Sequence, residues 1–170
     1  VEGVWVEEAI LSPSDASTND RLGISVAIDG DVAIVGAASD DDPSVTGAAY
    51  IFRRINGVWT QELKIHVEAG SGEIDTATAV AISGDTILVG PDIIERNGTD
   101  VGAASVYRFN GWGWSLTTRL VATDGVLGNQ FGHAVGMHGN RAVVGAWQGS
   151  NGEFVSGAAY LYDVDALPPR

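Results

Sequence analysis

Residues 25–37 read SVAIDGDVAIVGA. Two apolar runs rich in β-branched residues flank Asp29, Gly30 and Asp31. Such a pattern predicts two strands joined by a tight turn, in which Gly supplies the positive φ that a type I′ hairpin requires. A near copy, AVAISGDTILVGP, occupies residues 79–91, and a third, AVGMHGNRAVVGA, occupies 134–146. The pairs Asp29-Gly30, Ser83-Gly84 and His138-Gly139 share one position. Only the Gly is invariant among the copies. A turn needs only that Gly, whereas a metal ligand would not interchange Asp, Ser and His. These six residues are therefore assigned to turn structure.

The repeat extends beyond the hairpin. Trp5, Trp59 and Trp114 are spaced by 54 and 55 residues, as are Gly30, Gly84 and Gly139. The segments GAAYIF (47–52), GAASVY (102–107) and GAAYLY (157–162) keep the same period. Periods of this length signal propellers, solenoids or arrays. Each unit carries four strand-like runs, in the first ISVAI, VAIVGA, GAAYIFRR and GVWTQELKI. None shows helical periodicity. VAIVGA is apolar on successive residues, which implies burial on both faces. A four-stranded unit stacked between two neighbours is a propeller blade. Small residues at 36–38 and 47–49 allow blades to approach closely.

Phe131-Gly132 followed by Val144-Gly145-Ala146, and Leu22-Gly23 followed by Val35-Gly36-Ala37, resemble FG-GAP repeats. The Trp-marked strand, the turn and the GAAYxF segment resemble the bacterial branch of these integrin-α-type repeats. The resemblance implies an all-β fold of three four-stranded antiparallel FG-GAP-like blades. The middle unit departs from the pattern, with Thr76-Ala77 for FG and Val89-Gly90-Pro91 for VGA. Integrin-type repeats also carry a calcium loop before VGA. Here only three residues stand in its place, too few to wrap an ion. No cofactor is therefore expected, and the family's calcium is not carried over.

Three repeats are read at about 12–65, 66–120 and 121–165, within one partial ring or ring subunit over 1–165, followed by a tail at 166–170. The chain opens with a fourth-strand pattern at 3–11 (GVWVEEAIL) and ends without one. The opening strand is thus able to complete the last unit. Three blades fall short of the four to eight of known propellers. The chain is expected to be an excerpt of a longer propeller. The alternatives are a subunit that pairs with a second copy to close a ring, or a compact three-fold barrel.

The 170 residues carry 22 acidic and nine basic side chains, for a formal net charge of −13. That charge repels phosphate, so neither nucleic acid nor an anionic membrane is an expected partner. The absence of cysteine removes disulfide and thiolate chemistry. No apolar run reaches the length of a membrane span. Candidate chemistry is sparse. Asp40, Asp41 and Asp42 form an acidic loop in the first unit that could add ligands to a divalent ion. Trp112 shares a strand face with Trp114, and Trp147 replaces a small residue after VGA; both could stack on a sugar or peptide. His133 and His138 fall on opposite faces of one strand, and His66 stands apart. Asn97-Gly98-Thr99 fits a glycosylation sequon and reads as loop.

No Ser-His-Asp arrangement, phosphate loop or zinc spacing is present, so the chain is read as non-enzymatic. The resemblance implies a secreted or cell-surface binding and adhesion module with a protein or glycan ligand. Its recognition loops would be 40–46, 93–101 and 148–156. A purely structural repeat of a larger secreted protein and a carbohydrate-binding propeller are the alternatives.

Overall fold

The computed structural model describes residues 3–18, 20–38, 45–68, 77, 79–96, 99–123, 130–147 and 157–166. Eleven strands run in this order: β1 Leu22–Asp29, β2 Val32–Ala37, β3 Val45–Ile55, β4 Val58–Glu68, β5 Ala79–Ser83, β6 Thr86–Arg96, β7 Thr99–Phe109, β8 Trp114–Leu120, β9 Phe131–His138, β10 Arg141–Ala146 and β11 Ala158–Asp163. They form three antiparallel meanders, β1-β2-β3-β4, β5-β6-β7-β8 and β9-β10-β11. The fold is all-β, with no helix among the described residues.

The 55-residue period reappears as geometry. Each second strand meets its third at the same register: Ile34 with Ile51, Leu88 with Val106, Val143 with Leu161. One turn-to-strand hydrogen bond occurs three times, from Arg54 N to Asp31 O (2.8 Å), Phe109 N to Asp85 O (2.9 Å) and Val164 N to Asn140 O (2.9 Å).

The blades stack in chain order, β5 lying against β1 and β2 and β9 against β5, β6 and β7. Val32, Ile34, Ala49, Ile51 and Ile65 of the first blade meet Val80, Ile82, Ile87 and Val89 of the second. Leu88, Val106 and Leu120 of the second meet Phe131, Ala142 and Val144 of the third. Full burial of such side chains contributes about 1.5–3 kcal/mol each, so stacking dominates stability. β2 is buried on both faces, as its unbroken apolar run predicts. β10 is not. Its alternate residues Arg141 and Val143 are exposed because no blade follows among the described residues.

Glycines make the stacking possible. A methyl group at Gly36 would fall closer than 3.0 Å to the Ala77 carbonyl oxygen, and one at Gly90 would lie 3.1 Å from the Gly132 carbonyl carbon and nearer still to its oxygen. The first and second blades thus each accept the backbone of the next into a glycine slot. The inserted residues Ala77 (55°) and Gly132 (94°) have positive φ, as does Gly23 (90°) at the same repeat position of the first blade. The middle copy places an alanine where its neighbours keep glycine.

The opening stretch behaves differently from the expected strand. Residues 4–13 form no strand and lie against the first sheet. Leu11 packs on a cluster of Val35, Ala37, Ala48, Tyr50 and Phe52. Glu8 accepts from Arg54 Nη1 (2.8 Å) and Trp59 Nε1 (3.2 Å), Asp15 accepts from Lys64 Nζ (2.7 Å), and Ser14 N donates to Gln61 Oε1 (3.1 Å). The third sheet therefore has three strands among the described residues. The reason is reach: Ser14 and Asp15 tie the stretch to β4 of the first blade, and β11 belongs to the third.

These latches carry a pH dependence. The Arg54 hydrogen bond, then that of Trp59, holds the Glu8 carboxyl below its ordinary 4.5, and Lys64 does the same to Asp15, ordinarily 3.8. Both folded values are depressed. The contribution is therefore present above the unfolded values and lost as pH falls through the folded ones. Solvent screening keeps it small. On acidification from about pH 6 to about pH 3, the Trp59 indole proton resonance is expected to titrate with a midpoint below 4.5. Glu8→Gln should abolish that titration. An indole signal that stays fixed across the range would show that no latch exists.

Candidate functional site

The hairpin turns bear the most regular polar geometry. Asp29 pairs with Val32, Ser83 with Thr86 and His138 with Arg141, leaving Gly30-Asp31, Gly84-Asp85 and Gly139-Asn140 as the two-residue loops. The three glycines have φ of 57°, 55° and 55°, while Asp31, Asp85 and Asn140 are not in the left-handed region. Positive φ at the first central residue alone is the type II′ pattern, not the expected type I′. The pairs quoted from the sequence are thus offset by one: Asp29, Ser83 and His138 end strands, and the glycines begin the turns.

The residue before each glycine has a further role. Asp29 Oδ2 accepts from Gly84 N (2.6 Å), and Ser83 Oγ accepts from Gly139 N (2.9 Å). Each turn is stapled to the next blade's turn by a side-chain oxygen. Asp and Ser interchange there because both accept a hydrogen bond. The sequence signal was visible as a polar residue before every turn glycine, but its partner lies 55 or 56 residues away. His138 is the third copy of this position.

The two tryptophans singled out from the sequence stand at opposite ends of the blades. Trp112 does not share a strand face with Trp114. It lies in the turn between β7 and β8, where Asn110 Oδ1 accepts from the backbone N–H groups of Trp112 (3.0 Å) and Gly113 (3.1 Å). Its side chain is 96% exposed. Trp114 packs against the first interface cluster and touches Phe109, ring centroids 5.4 Å apart. Trp147 follows β10 at the other end, and its Nε1 donates to Gln130 Oε1. Its ring lies 5.9 Å from that of His133. An antiparallel meander separates these two ends by a strand length, so no single ligand patch holds both tryptophans.

Trp147 borders an open groove of about 450 Å³, lined by His133, Ala134, Gly145, Ala146, Gly157 and Ala158. Its lining is mostly small and apolar, suited to receiving backbone or a flat ring. His138 lies at the far end of β9 from His133, and His66 is on β4 of another sheet. Among the described residues no three His, Asp or Glu side chains gather as a metal set. Asp40, Asp41 and Asp42 lie outside the described residues, as does the Asn97-Gly98 part of the sequon.

Residues 5–52 and 114–162 match the family model described as FG-GAP repeat. The chain belongs to the FG-GAP repeat family. Both matched stretches run from a Trp of the fourth-strand pattern to an aromatic near the end of a third strand. The family's unit therefore opens with the strand that precedes a blade. The matched stretches leave the irregular middle copy between them. No curated protein matches the FG-GAP chain closely enough to serve as a relative. No helix among the described residues is long and apolar enough to cross a membrane, a statement that does not bear on β-barrels.

Proposed function

We propose that this FG-GAP chain is a non-enzymatic binding or scaffold module of an extracellular or cell-surface protein, with a protein or glycan ligand. One observation carries the reading. Framework positions are committed to stacking and, at the two blade interfaces, to slots and staples, while the connections read from the sequence at 40–46, 93–101 and 148–156 differ; the middle one is not the expected loop, since residues 93–96 pair with 99–102 as an extension of β6 and β7. A rigid repeated scaffold with divergent loops at one end separates stability from recognition. The fold alone names no ligand. The reading requires no cofactor, and a divalent ion at Asp40, Asp41 and Asp42 would be an addition to it.

The test is a binding screen of the labelled chain on arrayed extracellular proteins and glycans, repeated with residues 148–156 replaced by a Gly-Ser linker. Adhesion predicts a ligand whose affinity falls at least about tenfold on replacement while melting is unchanged, the loss of about 1.4 kcal/mol of contact. A panel without binders leaves the purely structural repeat as the better account. Calcium enters the same experiment: a rise in melting temperature that vanishes in Asp40→Asn/Asp42→Asn would place an ion at the acidic loop.

A carbohydrate-binding reading is kept for one reason: Trp147 is 54% exposed beside an open groove. It predicts quenching or enhancement of tryptophan emission by a sugar, lost in Trp147→Ala. Silence across a broad glycan panel removes it.

A further inference from the structure

We propose that Asn110 is a site of self-directed covalent modification: the turn between β7 and β8 activates its side-chain amide toward the Gly111 backbone nitrogen, and the folded chain converts Asn110 to an aspartyl or isoaspartyl residue through a succinimide. The chemistry needs no ligand, cofactor or second chain.

The same dipeptide, Asn-Gly, stands in the corresponding turns of the first two blades, one residue out of step. In the first, Ile55 pairs with Val58 and leaves Asn56-Gly57 as the loop, with φ of 51° and 81°. That is the type I′ pattern. In the second, Asn110 N donates to Gly113 O (3.1 Å) and leaves Gly111-Trp112 as the loop. Gly111 has φ of 91° and Trp112 is not in the left-handed region, the type II′ pattern. Asn110 therefore stands at the base of its turn, whereas Asn56 is part of the loop.

From the base, the Asn110 side chain folds forward over the Gly111 peptide. Its Oδ1 accepts from Trp112 N (3.0 Å) and Gly113 N (3.1 Å). Two converging N–H donors identify that atom as the oxygen. Nδ2, the leaving nitrogen, has no hydrogen bond among the described residues. Such an Asx turn closes a ring that contains both Cγ and the Gly111 nitrogen, so nucleophile and target carbon are held together instead of meeting by free rotation. A methyl group at Gly111 would meet nothing within 4 Å, and both residues are exposed to water. Asn56 precedes an equally open glycine but makes no side-chain hydrogen bond among the described residues.

The two donors sit where charge develops. Hydroxide removes the Gly111 N–H proton, and the nitrogen attacks Cγ of Asn110. The carbonyl electron pair moves onto Oδ1, within the distance of about 2.7–3.1 Å at which backbone N–H groups stabilise an oxyanion. Collapse breaks the Cγ–Nδ2 bond, and the leaving nitrogen takes a proton from water and departs as ammonia. Water then opens the succinimide at either carbonyl, giving an aspartyl or a β-linked isoaspartyl residue at position 110. The net change consumes one water and releases one ammonia, with hydroxide regenerated and no oxidant or reductant involved.

The products differ in what they do to the turn. An aspartyl carboxylate keeps the two N–H donors and binds them more strongly, since its acceptor is charged. The isoaspartyl product inserts a methylene into the main chain directly below Trp112, which is 96% exposed at the tip. The modification thus resets the direction in which the blade presents that ring.

The test is peptide mapping by mass spectrometry over time on the full 170-residue chain at mildly alkaline pH, with one sample folded by circular dichroism and the other in guanidinium chloride. Exchange of NH2 for OH is scored at positions 110 and 56, and separation of the two product peptides identifies the isoaspartyl form. Position 110 is expected to convert at least about tenfold faster in the folded chain than in the unfolded one, because folding supplies the two oxyanion donors. Position 56 is expected to gain nothing from folding. Conversion at 110 that is no faster in the folded chain overturns the proposal. Equal acceleration at both positions does so too, since it would credit any tight turn rather than the two donors.

Discussion

Gly90→Val is expected to lower the melting temperature by about 5–10 °C. Overpacking a well-packed site costs about 1–3 kcal/mol, and for a chain of this size each kcal/mol shifts melting by about 2–4 °C. The added side chain would meet backbone rather than a movable side chain: the Gly132 carbonyl carbon at 3.1 Å and its Cα at 3.2 Å, with the oxygen closer. Neither β6 nor β9 can give way without losing ladder bonds, so the second and third blades must separate. Gly145→Val is the control, since the nearest atom to its added Cβ is the Ala134 Cβ at 3.4 Å. It should stay within about 2 °C of wild type. Thermal melts of the two variants decide the matter. Equal melting of both would show that the glycine slot does not hold the blades together.

Phe131→Ala is expected to be the most damaging single truncation, costing about 3–5 kcal/mol. The ring is 1% exposed and packs edge-on against Tyr160 (centroids 5.3 Å) and Tyr162 (6.1 Å). Tyr162 in turn donates its hydroxyl to Val121 O at 2.9 Å, tying β11 to the segment after β8. Removing the ring empties the centre of the second interface. Stacked repeats are held by nearest-neighbour contacts, so the damage should stay local. Hydrogen exchange should show the amides of β9–β11 losing protection by a factor of at least about 100 while β2 and β3 change little. Uniform loss across all three sheets would mean that the blades unfold as one unit, and the nearest-neighbour account would be rejected.

Much of the fold is legible in the residues. The Trp, turn-Gly and GAAYxF landmarks share one period, and each copy alternates strand formers with Gly, Asn and Asp. That is enough to group the strands into meanders, because short connections join neighbours. The unbroken apolar run of β2 reads correctly as a strand covered on both faces. Residues 142–146 of β10, AVVGA, form a similar apolar run but are covered on one face, with Arg141 and Val143 exposed. Nothing within a strand reports whether a neighbour is present.

The turn type shows where local reading stops. A Gly between two strands announces a hairpin, but types I′ and II′ differ in the φ of the following residue. Asp31 and Asn140 tolerate either sign, so the choice follows the strand pairing. The tryptophans show the same limit. Trp112 and Trp114 are two apart and would share a face on one strand. Asn110 instead closes a turn around Trp112 and starts β8 only at Trp114.

The sequence by itself determined that this chain is three copies of one strand-rich unit, because periodicity, turn glycines and β-branched runs are properties of residues near one another. Tertiary structure alone decided which face of each blade meets which neighbour. It made Asp29 and Ser83 staples, laid residues 3–18 along the first blade, and left Gly145 and Gly23 at opposite ends with open surroundings. The physical reason is distance along the chain. Each of these features joins groups about one repeat apart, or depends on whether a neighbouring blade covers a face. A repeat encodes its own strands, but its interfaces exist only once copies are stacked.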